Sequence, residues 1–263
     1  QCLVDSKRTT AFVDAINKVV TKESVVIDLG TGSGIMAIAA AKAGAKQVYC
    51  VEYDPFIASI AKKNIEVNGL KNKIKMIVND AKKISLKEKF DIVISEMLTT
   101  GIVDEHQVQA INNLHRHKNI HKSTIFIPGV QETYITPVDT SFEVCGHTFP
   151  MVNHLWKWLE YNPIKSKMAK KELLNKIDFS HPYKEQCDVV VEFKVVKKGK
   201  INSILLESKS ILGTKTVEDT KALNAPVIIP LVERSVQKND VVRIHVKYKF
   251  GTGYKNFKAY FEK

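Results

Sequence analysis

The sequence predicts an α/β chain: an open parallel sheet with helices over residues 1–130, followed by a mostly β barrel or sandwich over residues 131–263. Three observations predict it. Asp28–Leu29–Gly30–Thr31–Gly32–Ser33–Gly34 joins a short apolar run, Val25–Leu29, to a helix-forming one, Ile35–Lys42, and so reads as strand, glycine turn and helix. Glu52 closes a second apolar run, Gln47–Val51, 22 positions after Gly30. From Gln131 onward apolar residues alternate with polar ones, the period of half-buried strands.

Glycines at every second position let the backbone pass close to a ligand and leave the amides of the helix start free to face polar groups. A carboxylate at the tip of the second strand is placed to accept both hydroxyls of a ribose. Two nucleoside ligands suit this pair of features. Dinucleotide cofactors usually come with G-x-G-x-x-G, whose last glycine falls one position later than Gly34, whereas D-x-G-x-G-x-G resembles the S-adenosylmethionine (SAM) loop of class I methyltransferases. A purely structural turn in an unrelated α/β domain is the plain alternative.

With 263 residues and 44% hydrophobic content the chain has enough apolar material for one large core or two small ones. No apolar run approaches the roughly 18 to 20 residues of a membrane span. The opening residues, among them Asp5, Lys7 and Arg8, do not form a signal peptide, so a cytoplasmic protein with no membrane partner is expected. Cys2, Cys50, Cys145 and Cys187 lie far apart with no C-x-x-C pair, which predicts reduced thiols rather than a zinc site or disulfides. The net charge of +12 is uneven: residues 1–161 carry 19 Lys+Arg against 17 Asp+Glu, and residues 162–263 carry 21 against 11. A basic half can attract RNA or an acidic partner, or can simply be solvated.

Along the chain, Phe12, Val13, Ile16, Val19 and Val20 recur at helical spacing and predict an amphipathic helix leading into the first strand, with Arg8 on that lead-in. Pro55 starts a helix that Gly69 ends. Lys73–Val78 is the third strand, and Asn79–Asp80–Ala81 follows at its end, where a carboxylate can accept the exocyclic amine of adenine and the next amide can meet a ring nitrogen. Phe90–Ser95 is the fourth strand, apolar as a strand covered on both faces should be. His115, His117 and His121 lack cysteine or carboxylate neighbours and read as a cationic connection, with no metal expected, before a strand at Ser123–Ile127. Pro128–Gly129 then closes the first domain.

In a nucleotide-binding sheet the carboxyl end of the fourth strand is where substrate meets cofactor. Here it carries Glu96 and Glu105. Nine residues on a straight helix amount to about 900°, which would put the two glutamates on opposite faces. They converge only if the chain turns between them, and Thr99–Thr100–Gly101 is able to turn.

In the second half, Val189–Val196 and Ile201–Glu207 look like a hairpin across Lys198–Gly199–Lys200. Val242–Phe250 alternates apolar residues with Arg243, His245, Lys247 and Lys249, a half-buried strand with a basic outer face. His154–Leu155–Trp156–Lys157–Trp158 reads as a core or interface cluster rather than a substrate cage.

Ser95–Glu96 followed by Glu105 is similar to the double-glutamate loop of protein arginine methyltransferases, and Cys2–Leu3–Val4–Asp5–Ser6–Lys7–Arg8–Thr9 resembles that family's M-L-x-D-x-x-R-T segment. The glycine loop, Lys42–Ala43–Gly44–Ala45–Lys46 and Glu52 also look like the family's. The resemblance implies a Rossmann-like class I methyltransferase domain with a C-terminal β-barrel. It implies SAM as cofactor and S-adenosyl-L-homocysteine as product. By the same resemblance, Arg8 would hold the SAM carboxylate, Asp28, Gly30, Gly32 and Gly34 the methionine part, Glu52 the ribose, and Asp80 and Ala81 the adenine. Glu96 and Glu105 would grip a cationic nitrogen, in a protein, a peptide or a small guanidino compound.

The chain departs from the pattern in places. The family's aromatic Y-F-x-x-Y helix would precede Gln1, Met97–Leu98 stands where W-M is usual, and Asn224–Ala225–Pro226 lies where T-H-W is expected. The interval between Trp158 and Leu174 is short for the dimerisation arm, so a homodimer is a weaker expectation here than in the family. Family members acting on Arg/Gly-rich tails tend to be acidic, whereas a +12 chain would repel such tails. Two other functions stay open. One is an RNA methyltransferase using the basic half, although Ser95–Glu96–Met97–Leu98 replaces the [DN]-P-P-[YF] usual for base amines. The other is a non-catalytic SAM-binding partner subunit.

Overall fold

The computed structural model describes residues 2–262; Gln1, Lys263 and the side chain of Cys2 lie outside the described residues. Five strands form the first sheet: β1 (Val25–Leu29), β2 (Gln47–Glu52), β3 (Ile74–Val78), β4 (Phe90–Ser95) and β5 (Ile120–Ile127). Their order is β3-β2-β1-β4-β5 and every pairing is parallel. The order reverses between β1 and β4, which opens a crevice at their carboxyl ends.

Four helices cover the sheet: α1 (Ser6–Val19), α2 (Ile35–Lys42), α3 (Pro55–Val67) and α4 (Gln107–Arg116). Asp5 caps α1 by accepting from the Arg8 amide, and Ala11, Phe12, Ala15 and Ile16 form its buried stripe at i, i+4 spacing. Asp54 caps α3, with Pro55 at the first turn where no amide hydrogen is needed. The histidine-rich connection contributes packing: His115 Nε2 lies 3.0 Å from the Phe179 carbonyl and its ring stacks on Phe126. No group of three metal-ligating side chains is brought together among the described residues.

Strand β6 (Val130–Thr140) follows a cis Ile127–Pro128 bond and starts the antiparallel part of the molecule. It pairs with Ile164–Lys167, Glu172–Asp178 and the long strand Gly199–Leu212, which in turn pairs with Val227–Val236. A second antiparallel sheet is built from Gln186–Lys194, Val241–Lys249 and Lys258–Phe261. Phe179, Phe193, Tyr248 and Phe250 are among the side chains buried in the shared core.

The expected hairpin across Lys198–Gly199–Lys200 is absent. Gln186–Lys194 pairs with Val241–Lys249, and Gly199–Leu212 crosses to the other sheet. The reason is burial: Ile201 to Leu206 are buried on both faces, a demand met only by a central strand flanked by β6 and Val227–Val236. Val241–Lys249 does alternate buried and exposed residues as its sequence predicts. Its basic face is partly neutralised by the neighbouring strand, with Arg243 on Glu192 (3.1 Å), and both His245 and Lys247 on Asp188 (2.6 Å each).

Candidate active site

The glycine turn is built as its spacing requires. Gly30, Gly32 and Gly34 have φ of +70°, +53° and +85°, the left-handed region where a side chain is strained. The amides of Gly30 and Thr31 both donate to the Val51 carbonyl at 2.9 Å, which ties the turn to the tip of β2. A Cβ on Gly30 would lie 2.7 Å from Met97 Cγ, whereas nothing approaches the corresponding position at Gly32 within 4 Å. Gly30 is therefore needed for packing, and Gly32 leaves space for a ligand.

Asp28 is buried beneath the turn. Its Oδ2 accepts from the Thr31 hydroxyl at 2.5 Å and from the Ala37 amide at 3.1 Å, so the carboxylate braces turn and helix together. Burial pushes its pKa up to about 6 against those hydrogen bonds. Glu52 faces outward from the end of β2. Its Oε2 accepts from the Gly32 amide at 2.9 Å and its Oε1 from the Asp54 amide at 3.1 Å, which fixes the carboxylate and leaves lone pairs on each oxygen.

A cavity of about 620 Å³ opens over these groups, lined by Gly30, Glu52, Asp80, Ala81, Met97 and Glu105 among others. Its size and lining fit a nucleoside ligand: an accepting carboxylate at the strand tip, a second beyond β3, and apolar surface from Ala81 and Met97. Asp80 is held in place because its Oδ1 accepts from the Lys82 amide at 2.9 Å. The Asn113 side chain supports the same loop, donating to the carbonyls of Ala81 (3.3 Å) and Ile84 (2.8 Å).

The segment after β4 turns where the sequence allows it. Thr100–Ile102 is a single 3-10 turn, with Gly101 at φ +71° and Ile102 at +50°. The antiparallel domain holds this turn along its length. The Thr100 hydroxyl donates to Ala225 O (2.6 Å), the Gly101 amide to Ser208 Oγ (3.0 Å), and the Tyr248 hydroxyl to Gly101 O (2.9 Å). The amides of Gly251 and Gly253 then donate to the carbonyls of Ile102 (3.1 Å) and Val103 (2.9 Å). Nothing local in the sequence marks Tyr248 or Ser208 for this role, and the glycine pair in Gly251–Thr252–Gly253, straight after a strand, is the signal for the other two.

Beyond the turn, Glu105 lines the cavity, and burial pushes its pKa up, helped by the neighbouring Asp104 charge. Glu96 is not in the cavity lining; it forms an ion pair with Arg8, both side chains being almost wholly buried. Arg8 and Glu96 therefore meet each other, while Glu52, Asp80, Ala81 and Glu105 share the cavity with Gly30.

Comparison with known proteins agrees with this architecture. Residues 6–135 match the family model of ribosomal protein L11 methyltransferase (PrmA). The chain is 34% identical over 260 residues to the uncharacterized protein MJ1452 of Methanocaldococcus jannaschii, covering 98% of this chain and 93% of that protein. It is 30% identical over 119 residues to an arginine N(omega)-methyltransferase of Streptomyces achromogenes subsp. streptozoticus, 44% of this chain and only 33% of that enzyme. Among solved structures, the Trypanosoma brucei PRMT1 enzyme-prozyme heterotetrameric complex with AdoHcy superposes with a TM-score of 0.73 at 18% identity, covering 94% of this chain and 86% of that one, a likeness of fold. The chain belongs to the family of the M. jannaschii protein and is a SAM-dependent methyltransferase that resembles the protein arginine methyltransferases.

Proposed function

We propose that the chain transfers the SAM methyl group to a guanidino or other cationic nitrogen held by Glu96 and Glu105, in a protein, a peptide or a small guanidino compound. The observation that carries this reading is the Arg8–Glu96 pair: both side chains are almost wholly buried, and the partner of the Glu96 carboxylate there is a guanidinium, the group a guanidino substrate would present. Glu105, which lines the cavity beyond the turn, supplies the second acceptor.

The cofactor roles follow the cavity. Glu52 would take the ribose hydroxyls, Asp80 and Ala81 the adenine edge, and the open side of Gly32 the methionine part, with Asp28 bracing the turn from below. Arg8 would take the SAM carboxylate, and in turning to it would release Glu96 for the substrate. SAM supplies an electrophilic methyl: a nitrogen–carbon bond forms as the carbon–sulfur bond breaks, and the electron pair stays on sulfur to give S-adenosyl-L-homocysteine. The glutamates orient the nitrogen in line and balance its charge.

The same proposal places the domain boundary at residue 130, where the parallel sheet gives way to β6. A cytoplasmic location accords with the free thiols of Cys50, Cys145 and Cys187, and no helix among the described residues is long and apolar enough to cross a membrane. Exposed Phe149, Met151 and Trp158 offer apolar surface to a homodimer. Calorimetric binding of SAM to the wild type, Glu52→Ala and Glu96→Gln, with transfer of labelled methyl to an arginine peptide and to free arginine, tests the assignment. Glu52→Ala should lose the cofactor, and Glu96→Gln should keep it and stop transfer. Normal transfer by Glu96→Gln would refute the glutamate role.

A further inference from the structure

A second cavity, of about 320 Å³, shares no lining residue with the cofactor cavity and adjoins the segments that hold the glutamate turn. Ser208, which lines it, accepts from the Gly101 amide at 3.0 Å. Asn224 and Pro226, also in its wall, flank Ala225, whose carbonyl takes the Thr100 hydroxyl at 2.6 Å. Lys7 reaches it from α1, one position before Arg8, whose side chain pairs with Glu96. Neighbouring Cα atoms are about 3.8 Å apart, so α1 serves this cavity and the Glu96 carboxylate from adjacent positions.

The lining carries charge of both signs. Of its four lysines, Lys157 is paired with Asp219 (3.3 Å) and Lys209 with Glu132 (3.0 Å). Lys7 and Lys171 are exposed and form no ion pair among the described residues. The Tyr134 ring stands between the ammonium groups of Lys171 and Lys209, at 5.0 and 5.2 Å from its centroid, and anchors both beside the cavity. Three carboxylates, Glu207, Glu218 and Asp219, line the same space. Glu207 Oε2 meets Lys167 only at 4.0 Å, and neither it nor Asp219 Oδ1 accepts a hydrogen bond among the described residues. Acceptor capacity is thus left over on two carboxylates, as donor capacity is on two lysines.

A ligand carrying only negative charge would meet three carboxylates here, and one carrying only positive charge would meet four ammonium groups. A group bearing both charges satisfies the two spare sets at once. Resting on the guanidino reading, we propose that this cavity takes the α-carboxylate and α-ammonium of a free guanidino amino acid, Lys7 and Lys171 receiving the carboxylate and Glu207 and Asp219 the ammonium. The side chain then runs past Ser208 towards Glu96. An arginine within a protein has neither charge, because both α groups are consumed in amide bonds, and it leaves the spare lysines and carboxylates unpaired. Substrate choice therefore lies in this cavity, and the glutamates hold only the guanidinium.

The test uses four compounds: L-arginine, agmatine (no carboxylate), 4-guanidinobutyrate (no amine), and arginine blocked as its N-acetyl N-methylamide. Each is titrated by calorimetry into the protein with S-adenosyl-L-homocysteine bound, and each is offered with SAM for transfer of labelled methyl. L-Arginine should bind at least about tenfold tighter than the other three, with a correspondingly higher kcat/KM. Lys7→Ala and Lys171→Ala change exposed side chains and should leave S-adenosyl-L-homocysteine affinity intact. Both should weaken L-arginine at least about tenfold while leaving agmatine, which has no carboxylate to lose, unchanged. Blocked arginine or agmatine bound as tightly as L-arginine overturns the proposal, as does an equal loss for L-arginine and agmatine, or no loss, in the lysine variants. Transfer to an arginine peptide but not to L-arginine overturns this proposal and leaves the guanidino reading standing. If the protein binds SAM yet transfers to neither the peptide nor any of the four compounds, the guanidino reading falls and this proposal with it.

Discussion

Replacing Gly251 by alanine should damage the candidate active site more than the fold. Gly251 has φ +71°, and its amide donates to Ile102 O in the turn between the two glutamates. A Cβ there would lie 2.2 Å from His106 Nδ1, 2.9 Å from Cε1 and 3.0 Å from Cγ, so the imidazole next to Glu105 has to move. The left-handed backbone alone costs about 1–2 kcal/mol with alanine. Overpacking against a ring adds about 1–3 kcal/mol. Gly146 provides the control, because it has φ +79° and nothing within 4 Å of its Cβ position, so Gly146→Ala carries the backbone cost alone. Urea unfolding of both variants should show Gly251→Ala losing about 2–5 kcal/mol and Gly146→Ala about 1–2 kcal/mol. Methyl transfer should be unchanged in Gly146→Ala and fall at least about tenfold in Gly251→Ala, since displacing a positioned group by about 1 Å can cost a hundredfold. Adding His106→Ala to Gly251→Ala should recover part of the stability. Equal losses in the two alanine variants, with transfer intact, would refute the view that the antiparallel domain sets the glutamate turn.

Tyr248→Phe removes the donor to the buried Gly101 carbonyl and the acceptor of the Asn175 amide (3.1 Å), and should cost about 1–3 kcal/mol by thermal unfolding. Asp28 titrates at about 6 in the folded protein against an ordinary 3.8, so the native state binds the extra proton and this group's contribution to stability declines as pH rises from about 4 to 6. A displacement of that size corresponds to about 3 kcal/mol, and Asp28→Asn should flatten the decline in urea unfolding measured across that range. Gly32→Ala meets no protein atom within 4 Å yet occupies the open side of the turn, so SAM affinity measured by calorimetry should drop by more than stability does. Unchanged affinity would show that the ligand does not approach there.

The sequence by itself determined what is local. The glycine turn with Glu52 following it, the Asp54–Pro55 helix start and the alternation of Val241–Lys249 are each written within a few residues, because backbone conformation and a strand's two faces impose their own spacing. The need for a turn between Glu96 and Glu105 was legible for the same reason, since helix geometry separates residues nine apart. Tertiary structure alone decided which partners each segment meets. Gly199–Leu212 left its neighbour in sequence for β6 because its run of two-faced burial needs strands on both sides, which no short window reveals. The glutamate turn is held by Ser208 and Tyr248, 107 and 147 positions away from Gly101, through bonds to its amide and carbonyl groups. Such bonds leave almost no mark in sequence, because every residue offers the same backbone carbonyl and all but proline the same amide. The Arg8–Glu96 pair was hidden likewise: charge type is local, but the partner a buried charge finds is set by which elements the fold packs together.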